Sequence, residues 1–144
     1  MELLNELTVA RAQGLFQQKT FAANCLVTDI VGKCVYITGP DVAGVYQVST
    51  AEPRDGATKM PAVGIIIEKS SATDCLVQVT GEMKGVVSGF SAGRPLFVAV
   101  DGSLTHVIPT ALAGQYAYIQ SMGVALTGNS LLVDPDISII KRIG

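Results

Sequence analysis

The sequence predicts a mainly β protein: a duplicated small β-barrel or sandwich domain carrying a short N-terminal helical or extended arm. Three observations lead there. Short apolar runs alternate with turns rich in Gly, Pro, Asp and Asn along most of the 144 residues. The blocks of the first half return in the same order in the second. A single phrase, an apolar strand broken by one glycine, occurs as "MPAVGIII" from Met60 and again as "IQSMGVAL" from Ile119.

From the N-terminus, "ELLNELTVARAQG" places Leu3, Leu4, Leu7 and Ala10 on one helical face, and Gly14 can end the helix. Leu15, Phe16 and Phe21 follow without a clear period. An isolated helix of this length is marginal in water unless it docks. Residues 1–24 are therefore read as an arm, and residues 25–144 as one β domain of two pseudo-repeats, about 26–87 and 88–144. In the first repeat "KCVYITG" alternates and ends at Gly39-Pro40. A hairpin follows in "AVGIIIEKSSATDCLVQVTG", with the polar connection Glu68–Asp74. Residues 85–93, "GVVSGFSAG", connect the halves. In the second repeat "PLFVAVDGSLTHVI" is a hairpin whose Asp101-Gly102 pair suits a type I′ turn. "MGVALTGNSLLVD" forms another around Thr-Gly-Asn-Ser.

The duplication aligns "GKCVYI" from Gly32 with "GRPLFV" from Gly93, Val63-Gly64-Ile65 with Met122-Gly123-Val124, and "CLVQV" from Cys75 with "LLVDP" from Leu131. A glycine inside an apolar strand weakens it, so its presence marks a bulge, a bend or the close approach of another backbone. Gly64 and Gly123 are expected at equivalent kinks, and Tyr36 and Phe97 at equivalent strand positions. Closure of the sheets would remove edges that strands this apolar cannot leave open.

Composition excludes several functions. Hydrophobic residues make up 49% of the chain and charged residues only 15%, well under the usual ~25%, which points to surface covered by partners. No apolar run reaches the ~18 residues of a membrane-spanning helix, and acids stand where a secretory signal would carry Lys or Arg. No membrane partner is expected. Cys25, Cys34 and Cys75 form no disulfide framework and are read as reduced, in keeping with folding in a cytoplasm. Net charge is −2, there is no Trp, and Lys and Arg are dispersed, which excludes the basic stripe that nucleic-acid binding needs.

No stretch carries catalytic chemistry, and the chain is read as not an enzyme. His106 is the only histidine and has no nucleophile motif to serve. Asp134-Pro135-Asp136 lacks the further oxygen ligands of a calcium loop and reads as a turn. Neither a zinc pattern nor a cofactor motif is present. Partner contact is expected instead at the loop Thr50–Pro61 and through the arm, where Leu3, Leu4, Leu7, Leu15, Phe16 and Phe21 would bury against another chain; the alternative is a helix packed on its own barrel.

The blocks "GKCVYITG", "MPAVGIII", "LVQVTGEMKGV", "AGRPLFVAVDGSLT", "YIQSMGVAL" and "LLVDPDISIIKR" together resemble small virion structural proteins of tailed bacteriophages, closest to capsid decoration (cement) proteins, over residues 26–144. The resemblance implies a β domain, a homotrimer, the major capsid protein as partner, and a place on the outside of the head shell after folding in the host cytoplasm. It transfers no catalytic, cofactor or metal residue. The alternative within the same class is a head- or tail-fibre module that recognises a host surface. On the arm reading, removal of residues 1–24 is expected to leave a folded domain that no longer binds particles.

Overall fold

A computed structural model describes residues 17–54 and 56–143. The sequence-predicted helix over the first fourteen residues lies outside them, as do Leu3, Leu4, Leu7, Leu15 and Phe16. The described chain is mainly β. Its strands are β1 (Lys19–Asn24), β2 (Cys34–Ile37), β3 (Tyr46–Thr50), β4 (Gly64–Lys69), β5 (Asp74–Lys84), β6 (Pro95–Val98), β7 (Leu104–Thr105), β8 (Tyr116–Ile119), β9 (Ser121–Thr127), β10 (Ser130–Val133) and β11 (Ile140–Ile143), with a 3₁₀ turn at Gly56–Lys59.

β1 to β5 close into a five-stranded barrel in the order β1-β3-β2-β4-β5, because β1 pairs with β3 on one side and with β5 on the other. The far end of β5 leaves the barrel and pairs with β10, extending the sheet through β9, β6 and β7. β8 and β11 form a separate two-stranded ribbon. β4 and β2 are buried on both faces: Cys34 and Ile65 join the core shared with the second half, while Val35 and Ile66 join the barrel interior with Val48, Val77 and Ala23. This explains the unbroken apolar run "GIII", since a strand covered on both sides has no polar face to alternate with.

The pairing bears out the duplication. The antiparallel order β3-β2-β4-β5 returns as β7-β6-β9-β10. Val35 pairs with Gly64, and its counterpart Leu96 pairs with Gly123. Tyr36 faces Ser49 as Phe97 faces Thr105. At both glycines a neighbouring carbonyl takes the place a Cβ would fill: that of Gln78 beside Gly64 and that of Leu132 beside Gly123. The repeated glycine is thus a point of close backbone approach in each repeat.

Four expectations are revised. Ile65 pairs with Gln78 and Val124 with Leu132, so Val77-Gln78 matches Leu131-Leu132, two residues away from the alignment of "CLVQV" with "LLVDP". The boundary between repeats falls inside β5. Phe21 opposite Val77 corresponds to Met83 opposite Leu131, so β1 and the second half of β5 are the equivalent first strands. The last six residues of the segment read as an arm therefore belong to the sheet. At the Asp101-Gly102 hairpin only Gly102 has positive φ, at 83°. Gly102 N–H donates to Ala99 O and Ala99 N–H to Ser103 O, and the Asp101 carboxylate accepts from Ser103. This is a tight turn closed by one left-handed glycine rather than type I′.

Candidate interaction surfaces

The His106 ring and the Asp136 carboxylate both hydrogen-bond to backbone groups. His106 Nε2 accepts from Ser91 N–H at 2.8 Å and Nδ1 lies 2.9 Å from Pro95 O, so the proton sits on Nδ1 and the neutral ring staples the 85–94 connection to β6. Its ring meets Phe90 edge-on. Asp134 and Asp136 lie in the open cleft beside Gly123, Val124 and Pro95. Their backbone N–H groups donate to Met122 and Ser121 carbonyls, and the Asp136 carboxylate accepts from Ser138 N–H. Among the described residues no group of three or more His, Cys, Asp and Glu is placed to hold a metal ion. The three thiols are free and buried. Burial pushes Cys34 up to about 12, and burial together with the neighbouring Cys25 thiol pushes Cys75 up to about 12.

The loop Thr50–Pro61 is anchored across the two repeats. Ala62 N–H donates to Gln120 Oε1 at 2.7 Å, and Gln120 Nε2 donates back to Ala62 O at 2.7 Å, all of it buried. Arg54 donates to the carbonyl and hydroxyl of Thr110, and Tyr118 N–H donates to Pro53 O. Ala51, Pro53 and Met60 are buried, and Lys59 pairs with Glu52 at 3.5 Å. The buried glutamine was not singled out from sequence. Its signal is a polar residue at an inward position, just ahead of the strand that carries Gly123.

Phe21 is half-buried on β1, packed against the barrel interior and edge-on to Tyr46 at 5.3 Å between ring centres. The larger apolar exposure lies elsewhere. In β11 all four residues are exposed, Ile140 at 64% and Ile143 at 78%, and Ile137 just before it is also open. β11 pairs only with β8, Ile140 opposite Ile119 and Ile143 opposite Tyr116. Its outer edge has no ladder partner among the described residues. Lys141 lies 3.8 Å from the centre of the Tyr116 ring, a cation–π contact that holds its charge at the ribbon. The ribbon is fixed to the body by buried Ala117 and by the Tyr118 to Pro53 bond. A second exposed apolar group lies at Leu26, Val27, Ile30 and Val31, between β1 and β2.

Comparison with protein-family models, with curated proteins and with solved structures returned no match. Among the described residues no helix is long and apolar enough to cross a membrane.

Proposed function

We propose that this chain is a bacteriophage capsid decoration protein that binds the outside of the head shell, as a multimer, and stabilises it. One observation carries the reading: β11 presents apolar residues on both faces and an unpaired edge, on a ribbon clamped to a rigid body. An open apolar edge strand is a liability that folded proteins blunt or cover. Here Ile stands at both ends with the charged Lys141 and Arg142 between them, and the free edge suits addition to a strand of a partner. Lys141 and Arg142 between the isoleucines favour an acidic partner segment. Binding of a multimer to a repeating shell multiplies weak contacts without any active site. The low charged fraction and the resemblance of residues 26–144 to virion proteins support the same reading.

The test is co-sedimentation with shells that lack the protein. Wild type is expected in the pellet. The double variant Ile140→Asp, Ile143→Asp is expected to bind at least ~100-fold more weakly, since each of the two substitutions removes an apolar contact of about 1.4 kcal/mol or more. Wild type that stays in the supernatant contradicts decoration. Equal pelleting of both proteins contradicts the role of β11.

A further inference from the structure

Cys25 and Cys75 meet inside the barrel. β1 and β5 run antiparallel with Ala23 opposite Cys75 and Asn24 opposite Asp74. The register carries on past the end of β1, where Cys25 N–H donates to Thr73 O at 2.8 Å. Residues two apart share a face of a strand, so Cys25 and Cys75 are diagonal neighbours on the inward face. Both lie in the barrel interior with Val35, Val48 and Val77, at 6% and 5% exposure. Their thiols are hydrogen-bonded to each other. Cys34 stands apart from this pair: it is on β2, with its side chain in the core shared with the second half.

Both ends of the contact are held in place. Leu26 N–H, next to Cys25, donates to the Asp29 carboxylate at 2.8 Å. That carboxylate is buried and also accepts from Thr50 N–H and from the Ser49 and Thr50 hydroxyls. Lys69, opposite Cys75 on β4, donates from Nζ to the carbonyls of Leu26, Val27 and Asp29. Burial and the Cys25 thiol keep the Cys75 thiol protonated, and the Lys69 ammonium works against them in favour of the thiolate.

The fold does not call for two thiols here. In the second repeat Met83 stands for Phe21 and Leu131 for Val77. Gly85 N–H donates to Asn129 O, so the register continues. It places Val87 where the first repeat has Cys25, and Asn129 where it has Cys75. The same crossing is made there without sulfur.

We propose that Cys25 and Cys75 are a redox pair that hydrogen peroxide oxidises to a disulfide, stapling β1 to β5. One sulfur attacks a peroxide oxygen. The O–O bond breaks, hydroxide leaves and takes up the thiol proton as water, and the cysteine becomes a sulfenic acid. The second sulfur then attacks the first. The S–O bond breaks, hydroxide leaves with the second proton as water, and the S–S bond forms. Two thiols give up two electrons, and one peroxide becomes two waters. The bridge closes a loop of about 50 residues. That loop contains β2, β3 and β4, and β1 and β5 hold its ends, so the cross-link spans the whole five-stranded barrel. The inference goes beyond shell binding and does not depend on it. On the proposed function the staple forms once the particle leaves the reducing cytoplasm.

The test is the full chain, reduced, treated with hydrogen peroxide at neutral pH, then denatured and alkylated. Mass spectrometry is expected to find Cys34 as the one alkylated cysteine and a peptide pair joined through Cys25 and Cys75. The oxidised protein is expected to melt about 10 °C above the reduced one, and dithiothreitol is expected to reverse both changes. Cys25→Ala and Cys75→Ala are expected to show no rise on treatment, and Cys34→Ala to keep it. The wild-type readouts stand whether or not a variant folds. All three cysteines alkylated after treatment, a bridge through Cys34, or oxygen retained on Cys25 or Cys75 with no bridge overturns the pairing. A Cys25–Cys75 bridge with an unchanged or lowered melting temperature overturns the staple. A rise of the same size in Cys25→Ala overturns its attribution to this bond.

Discussion

Four glycines separate two costs that a β-carbon can impose, and Gly123 carries both. A Cβ there would collide with the Leu132 carbonyl, and the backbone is held at φ +133°, where L residues are rarely found. Gly64 carries only the collision, at 2.5 Å from the Gln78 carbonyl oxygen. Gly85 carries only the left-handed backbone, at φ +71° with nothing within 4 Å. Gly39 carries neither. A side chain forced against backbone costs about 1–3 kcal/mol, and a left-handed L residue about 1–2 kcal/mol. Replacement by Ala is therefore expected to destabilise by about 1–2 kcal/mol at Gly85, about 1–3 kcal/mol at Gly64 and about 2–5 kcal/mol at Gly123. At Gly39 it should be neutral, or stabilising by up to about 1 kcal/mol through the unfolded chain. Urea unfolding reads this directly: with a slope of about 1–3 kcal/mol per molar, Gly123→Ala should lower the midpoint by at least about 0.7 M. A Gly123→Ala protein within about 0.5 kcal/mol of wild type, or one more stable than Gly64→Ala, would refute the equivalence drawn between the two close approaches.

Three further expectations follow from the packing. Deletion of residues 1–24 removes β1, unpairs β5 and β3 and exposes the cluster around Val35 and Val77, a loss of about 5 kcal/mol or more that unfolds a domain of ordinary stability; a circular dichroism melt equal to that of the full chain would contradict the placement of β1. Gln120→Leu should cost about 2–5 kcal/mol in urea unfolding, because Ala62 N–H and O are both left buried and unpaired, and a neutral result would mean that the loop is not held by this clamp. Cys34 stays protonated in the fold to about pH 12 while the unfolded thiol ionises near 9.0, so its raised value contributes stability that is present below pH 9 and lost on going up towards 12, at about 1.4 kcal/mol per pH unit; Cys34→Ala should flatten that alkaline slope, and an unchanged slope would exclude the thiol as its source.

Much of the fold was legible because β-strands write their burial in alternation and their connections in Gly, Pro and Asp. Tyr36 and Phe97, and Gly64 and Gly123, fell on equivalent positions because each pair sits beside a glycine the backbone requires. The alignment of "CLVQV" slipped by two because such a shift keeps every residue on its own face and leaves the apolar pattern unchanged. β1 was read into the arm because "KTFAAN" offers one aromatic and small residues, and its strand character comes from pairing with β3 and β5. The repeat boundary inside β5 was hidden because one continuous strand serves both repeats. Asp29 was passed over for a different reason: "LVTDIVG" reads as an ordinary turn, and only tertiary contact with Ser49 and Thr50 makes its carboxylate the centre of a rigid loop. The exposed isoleucines of β11 are indistinguishable in sequence from core strand residues until their neighbours are placed.

Immunogold labelling of intact virions with antibody against this protein tests the functional account most directly. Decoration predicts gold distributed over the head surface, with many particles per virion. Gold confined to the tail or its tip, or unlabelled heads, would contradict it.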